Sequence, residues 1–147
     1  YHKRLGLGYN EVFLAALLHD CKKGDNGEYY EMDGLAKNTP VAHQFAGAIS
    51  AEKDFGITEG NILDAIRYHC TARPEMSVLE KLIYSSDALE YGRDYPDTGL
   101  WRKVFDADFE SGFLLTLWAS MRKLKTNGGD IYPLTKEAYQ YYIGDTE

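Results

Sequence analysis

"ILDAIRYHCTARPEMSVLEKLIYSSDALEYGR" spans residues 62–93, and its apolar spacing decides the fold class. Ile62, Ala65 and Ile66 recur at three- and four-residue steps, and His69 continues their face. That period is helical, because a half-buried strand would alternate every second residue. Ser77 followed by Glu80 three positions later is a capping box, in which each side chain satisfies the other's backbone N–H. Val78, Leu79, Leu82, Ile83 and Ser86 then follow on helical spacing toward Gly92. Asp87 falls four residues after Ile83, so it places a carboxylate on the inward side of a helix that otherwise buries aliphatic groups.

The same period extends in both directions. Asn10 reads as the N-cap of a helix whose apolar stripe is Val12, Phe13, Ala16 and Leu17. That helix runs into "LLHDCKKGD" (17–25), where an imidazole and a carboxylate stand side by side. Gly24 to Gly34 reads as a polar loop. Thr39-Pro40 is an N-cap with proline at the first helical position, predicting a helix through His43, Phe45, Ala46 and Ile49 toward Gly56. Thr58 opens the helix that carries Ile62.

After the turn-rich DYPDTG (94–99), LWRKVF (100–105) predicts a short helix and DFESGFLLTLWASMRKLKT (108–126) a long one. Basic residues and Gly128-Gly129 close the long helix, as C-termini favour. TKEAYQYYIG (135–144) predicts the last. No strand, repeat or low-complexity segment interrupts this pattern, so the expectation is a single all-α domain, a helical bundle.

Composition sets the bounds. A chain of 147 residues can bury one real core without disulfides. No apolar run approaches the ~20 residues of a membrane span and no signal peptide opens the chain, so a cytoplasmic setting is expected. A net charge of −7 argues against binding a nucleic-acid backbone. A small phosphorylated substrate remains compatible if something local and positive offsets that background, and bound metal ions would do so. Cys21 and Cys70 form no CxxC pair and read as two partly buried thiols. Each lies within two residues of a histidine, so oxidation or metal capture there can disturb a nearby site.

Of the four histidines, His2, His19, His43 and His69, the last three fall on or beside apolar stripes. A lone inward histidine is more often a hydrogen-bonded core residue than a ligand, and a lone inward aspartate is often a cap or half of an ion pair. Uncompensated buried charge is expensive, however. His19, Asp20, His43, His69 and Asp87, on four separate helices with few inward basic groups, are most simply explained by convergence on cations. Imidazole and carboxylate suit iron, manganese, zinc or cobalt, not a calcium cage. Five ligands exceed what one tetrahedral ion keeps, which suggests two ions sharing a carboxylate and an activated water.

Lys23 lies four residues after His19 and can steady a phosphate, or serve as a basic residue at a helix C-terminus. Thr71 and Arg73 sit at a helix end after His69, where an arginine can fork onto phosphate oxygens. Arg93 either pairs with Glu90 or reaches the ligand; a site role is favoured here.

Taken in order, "LLHDCKK" (17–23), "TPVAHQFAGA" (39–48) and the 62–93 stretch resemble the HD-domain metal phosphohydrolases. Within that superfamily the set is similar to the bacterial symmetrical bis(5′-nucleosyl)-tetraphosphatases of the YqeK type, over roughly residues 5 to 110. The resemblance implies an HD helical bundle with a di-metal site, often iron, that splits diadenosine tetraphosphate into two ADP. It implies His19, Asp20, His43, His69 and Asp87 as metal ligands, with Asp20 the bridge. It implies Lys23, Thr71, Arg73 and Arg93 near phosphates and nucleoside, with Asp20 and Lys23 at the chemistry, and it suggests a homodimer. The family also carries a first metal histidine on an additional N-terminal helix. YHKRLGLG resembles the segment after that helix, so the domain, residues 1–147, is expected to lack it and His2 is not that ligand. "SSD" stands where a small residue usually precedes the family's aspartate, and Ala72 where glycine is common. Two alternatives stay open: an HD phosphohydrolase for another nucleotide, such as a nucleoside phosphate or cyclic dinucleotide, and a non-catalytic domain that binds a nucleotide or a protein.

Overall fold

The computed structural model describes residues 1–25, 29, 39–93, 97–128 and 130–144. Among these residues there are seven α-helices and no strand: α1 (Tyr9–Leu18), α2 (Ala42–Lys53), α3 (Gly60–Arg67), α4 (Val78–Ala88), α5 (Thr98–Ala107), α6 (Phe109–Thr126) and α7 (Pro133–Ile143). The all-α expectation holds. Most of the Gly24–Gly34 loop, residues 94–96 of the DYPDTG turn, and Gly129 lie outside the described residues. No described helix is long and apolar enough to cross a membrane.

The chain divides into two compact units. The first comprises Tyr1–Cys70 with Met76–Ile83, and the second Thr71–Glu75 with the chain from Tyr84 onward.

In the first unit α3 packs on both α1 and α2. Its core joins Ala15 and Leu18 of α1, Ala48 and Ala51 of α2, and Ile62, Ala65 and Ile66 of α3. Alanines from all three helices share this core with larger aliphatics, Ile57, Leu79 and Ile83 among them. Helix α1 turns a different face inward from the one its sequence predicts: Ala15 and Leu18 are buried, Val12 is half-buried, and Phe13, Ala16 and Leu17 are exposed. The reason is that α1 is apolar nearly all round, so its own period selects no face and the partner helices do. Tyr9, Phe13 and Leu17, spaced four apart, remain 60%, 48% and 62% exposed, and the first two rings stack with centroids 5.9 Å apart. The N-cap is Gly8 instead of Asn10, because the Glu11 carboxylate accepts the Gly8 N–H at 2.8 Å.

Helix α2 starts at Ala42, later than Thr39-Pro40 predicts. Thr39 and Pro40 instead lead a preceding turn, in which Ala42 N donates to Thr39 O at 3.1 Å. The capping box of α4 is formed as read, with Ser77 N donating to Glu80 Oε2 at 2.8 Å and Glu80 N to Ser77 Oγ at 3.3 Å.

Helix α4 stops at Ala88, short of Gly92, and the second unit supplies the cause. The Arg102 guanidinium donates to the carbonyls of Leu89 (2.8 Å), Glu90 (2.6 Å) and Arg93 (3.2 Å). Those acceptors are satisfied from the side, so no further helical turn is needed to pair them. Asp108 caps α6 by accepting from Ser111 N at 2.6 Å. Helix α6 packs on α5 and α7 through rings: Phe113 lies edge-on to Tyr84 and Tyr142, and Phe105 meets Phe109 at 5.4 Å. Burying a fully enclosed ring such as Phe113 contributes roughly 1.5–3 kcal/mol. Where α5 and α6 touch, a Cβ added to Gly112 would stand 2.4 Å from Phe105 Cα, so only glycine permits this approach.

Candidate metal centre

Three of the four histidines meet in the first unit. His19 is the C-cap of α1, His43 lies in the first turn of α2, and His69 lies in the turn after α3. One local device sets all three rings. His19 Nδ1 contacts Ala16 O at 2.8 Å, His43 Nδ1 contacts Pro40 O at 3.0 Å, and His69 Nδ1 contacts Ile66 O at 2.7 Å. A carbonyl oxygen can only accept, so each Nδ1 carries the proton and donates it. A neutral ring then presents Nε2 as a bare lone pair, the arrangement metal-binding histidines use. The turn formed by Thr39 and Pro40 thus has a purpose: it supplies the carbonyl that orients His43.

Those Nε2 atoms converge on Asp20. Its Oδ1 lies 3.2 Å from His43 Nε2 and 3.4 Å from His69 Nε2, and its Oδ2 lies 3.6 Å from His19 Nε2. His43 Nε2 and His69 Nε2 are themselves 3.3 Å apart. Asp20 Oδ1 is buried and has no hydrogen bond in good geometry, although two imidazoles stand within ion-pair distance. His69 is fully buried. Burial pushes the His43 imidazole below its ordinary pKa, and repulsion from His69 adds to this, against the opposing pull of Asp20. His69 beside it, and next the Lys23 ammonium, hold the Asp20 carboxyl well below the usual range, against desolvation acting the other way. Three imidazoles whose Nε2 atoms close on one carboxylate are a cation-binding arrangement. The ligand atoms of His19, Asp20 and His69 all lie within 4.8 Å of one another, so the residues fit a metal ion.

Cys70 belongs to the same cluster, with its Sγ 3.1 Å from His69 Nε2 and 3.2 Å from His43 Nε2. The sequence reading treats it as a bland thiol, and only its adjacency to His69 pointed here. Gln44 was missed altogether. It is fully buried on α2, and its Oε1 accepts the Cys70 N–H at 2.9 Å, fixing the turn that carries His69 and Cys70. A polar residue amid the buried stretch of α2 was the available signal.

Lys23 does not stand one helical turn beyond His19. Helix α1 ends at Leu18, and a tight turn follows, with Lys23 N donating to Asp20 O at 2.9 Å. This brings Lys23 Nζ to 2.6 Å from Asp20 Oδ2.

The remaining sequence-derived candidates belong to the second unit. Asp87 Oδ1 accepts from Arg93 Nη2 at 2.8 Å. Thr71 is fully buried and Arg73 half-buried. Between them Ala72 takes φ +57°, a left-handed conformation that glycine adopts without strain, which accounts for glycine being the expected residue there.

The HD domain family pattern matches residues 1–92, more than half of the chain. The symmetrical bis(5′-nucleosyl)-tetraphosphatase of Bacillus subtilis (strain 168) is 28% identical, over 96% of this chain and 81% of that protein. That of Halalkalibacterium halodurans is 30% identical, over 96% and 80%. A crystal structure of a protein described as a predicted HD superfamily hydrolase involved in NAD metabolism, from Clostridium acetobutylicum, superposes with a TM-score of 0.82. It is 30% identical, covering 97% of this chain and 80% of that one. On these matches the chain belongs to the HD domain family and is a phosphohydrolase.

Proposed function

We propose that the chain is a metal-dependent hydrolase of dinucleoside polyphosphates that cuts diadenosine tetraphosphate symmetrically into two ADP. The observation that carries the reading is the convergence of three Nε2 atoms on the Asp20 carboxylate. The names of the two bacterial relatives supply the substrate class. His19, Asp20, His43 and His69 hold the metal, with Cys70 at the edge of the set and Asp87 included on the family resemblance alone. On the resemblance the site would take two ions, iron ahead of manganese, with Asp20 among the groups that would hold both. When bound, such ions polarise a phosphoryl oxygen and lower the pKa of a water within reach.

The chain's own groups do the rest. Backbone carbonyls orient each imidazole, and Lys23 adds to His69 in lowering the Asp20 carboxyl pKa. The Lys23 side chain is 53% exposed, so its charge is also offered to an arriving phosphate. Thr71, Arg73 and Arg93 are assigned to phosphate and nucleoside, and a homodimer is the expected assembly, on the resemblance.

The test is incubation of the purified, metal-analysed chain with diadenosine tetraphosphate and iron or manganese, with products resolved by ion exchange. ADP as sole product, with Asp20→Ala slower by roughly a thousandfold, supports the reading. ATP plus AMP would overturn symmetrical cleavage. A second reading is an HD phosphohydrolase for another nucleotide, consistent with the Clostridium protein's description as a hydrolase involved in NAD metabolism: cleavage of a nucleoside phosphate or of NAD, with diadenosine tetraphosphate left intact, would favour it. Bound metal with no cleavage of any of these would favour a binding domain.

A further inference from the structure

A groove of about 590 Å³ lies within the second unit, among Arg93, Asp97, Trp101, Trp118, Arg122 and Lys123. Its volume falls in the ~300–1,000 Å³ range of small-molecule sites. Its lining departs from the rest of the chain in two respects. The chain carries a net charge of −7, yet these residues set Arg122 and Lys123 beside Asp97, with Arg93 held by Asp87 at 2.8 Å. The chain also has only two tryptophans, and both line this groove. The Arg122 guanidinium already stands over the Trp118 ring, 5.2 Å from its centroid, so an aromatic face and a cation are presented together.

Indole faces select a flat aromatic ring, and guanidinium and ammonium groups select phosphate. A ligand that satisfies both, at this size, is an aromatic base joined to phosphate. We infer that the groove holds one mononucleotide unit, its base against the indoles and its phosphates toward Arg122 and Lys123. The unit is a free nucleoside phosphate, and its binding does not rest on the function proposed above.

Tryptophan fluorescence reports on this groove alone, because no other part of the chain contains the residue. ADP titrated into the full chain produces a saturable change, with adenosine and inorganic phosphate each at least about tenfold weaker. Arg122→Ala and Lys123→Ala each raise the apparent Kd for ADP by about tenfold, while helical circular dichroism is retained. Trp118→Tyr keeps the affinity that Trp118→Ala loses. The Asp20→Ala response matches wild type, which separates this groove from the metal centre. A flat ADP titration, an equal response to inorganic phosphate, or loss of the response in Asp20→Ala overturns the inference. If no hydrolysis is found at all, the fluorescence titration still decides the binding.

Discussion

Ala15, Ala48, Ala51 and Ala65 line the core of the first unit, whereas Phe105, Phe109, Phe113 and Tyr139 fill the core of the second. Small side chains let helix backbones come close, which is how His19, His43 and His69, from three separate elements, reach one carboxylate. A ligand set of this kind depends on backbone position, and a close-packed alanine seam fixes that position. The rings of the second unit make their own edge-to-face contacts, and a glycine-only approach, Gly112 against Phe105, lies where α5 meets α6. The second unit also presents a groove with indole and cationic walls.

Two glycines test that contrast directly. In the ring-packed unit, a Cβ at Gly112 would meet Phe105 backbone at 2.4 Å and its side chain at 2.6 and 2.7 Å, and backbone cannot step aside cheaply. Gly112→Ala is therefore expected to destabilise by about 3 kcal/mol or more, a fall of roughly 6–12 °C in Tm by circular dichroism. A variant melting within a degree or two of wild type would break the contrast.

Gln44 probes the other unit. Gln44→Leu preserves approximate shape but leaves the Cys70 N–H without its acceptor, at about 1–3 kcal/mol in stability. The turn bearing His69 and Cys70 then loosens, and metal affinity should drop about tenfold or more, read by competition with a chromogenic chelator. Unchanged affinity would show that the alanine seam positions the turn unaided.

Gly47 is the mild counterpart of Gly112. Its added Cβ would meet His19 O and Ile66 Cγ2 at 3.5 Å and Cys21 Sγ at 3.7 Å, all ordinary contact distances. Gly47→Ala in the middle of α2 should therefore gain up to ~1 kcal/mol, because alanine is the better helix former. Thermal melts would show a small rise where Gly112→Ala shows a large fall.

The smallest effect concerns pH. Asp54 accepts from Tyr29 Oη at 2.6 Å and Ser50 Oγ at 2.7 Å, and these bonds lower its carboxyl pKa, with Tyr29 the larger influence. A carboxyl depressed in the folded state stabilises fully above its unfolded pKa of about 4, and that contribution is lost as pH falls through the folded value. Wild type should thus exceed Asp54→Asn slightly in stability at neutral pH, with the gap closing on acidification. A gap that persists in acid would exclude titration as its origin.

Much of this was written in local spacing. Ser77 and Glu80 announce the start of α4 because a capping box is complete within four residues. His43 and His69 announce themselves as polar side chains on apolar faces. What stayed illegible depended on partners distant in sequence. Helix α1 could not declare its buried face, since Phe13 and Leu17 are as apolar as Leu18. The early stop of α4 was invisible because its cause, Arg102, lies on α5. Cys70 and Gln44 act only once α2 and the turn after α3 are together. Trp101 and Trp118 sat on predicted helices as ordinary apolar residues, and no period distinguishes a core ring from one that lines a groove.

The ridge of Tyr9, Phe13 and Leu17 along α1 bears on how the molecules behave in bulk. An exposed aromatic ridge makes copies adhere on contact, and the main restraint on contact is mutual repulsion from the charge of −7. That repulsion vanishes near pH 5.1, the isoelectric point. Turbidity is therefore expected to rise there with the helical spectrum unchanged: the colloid fails while the fold survives.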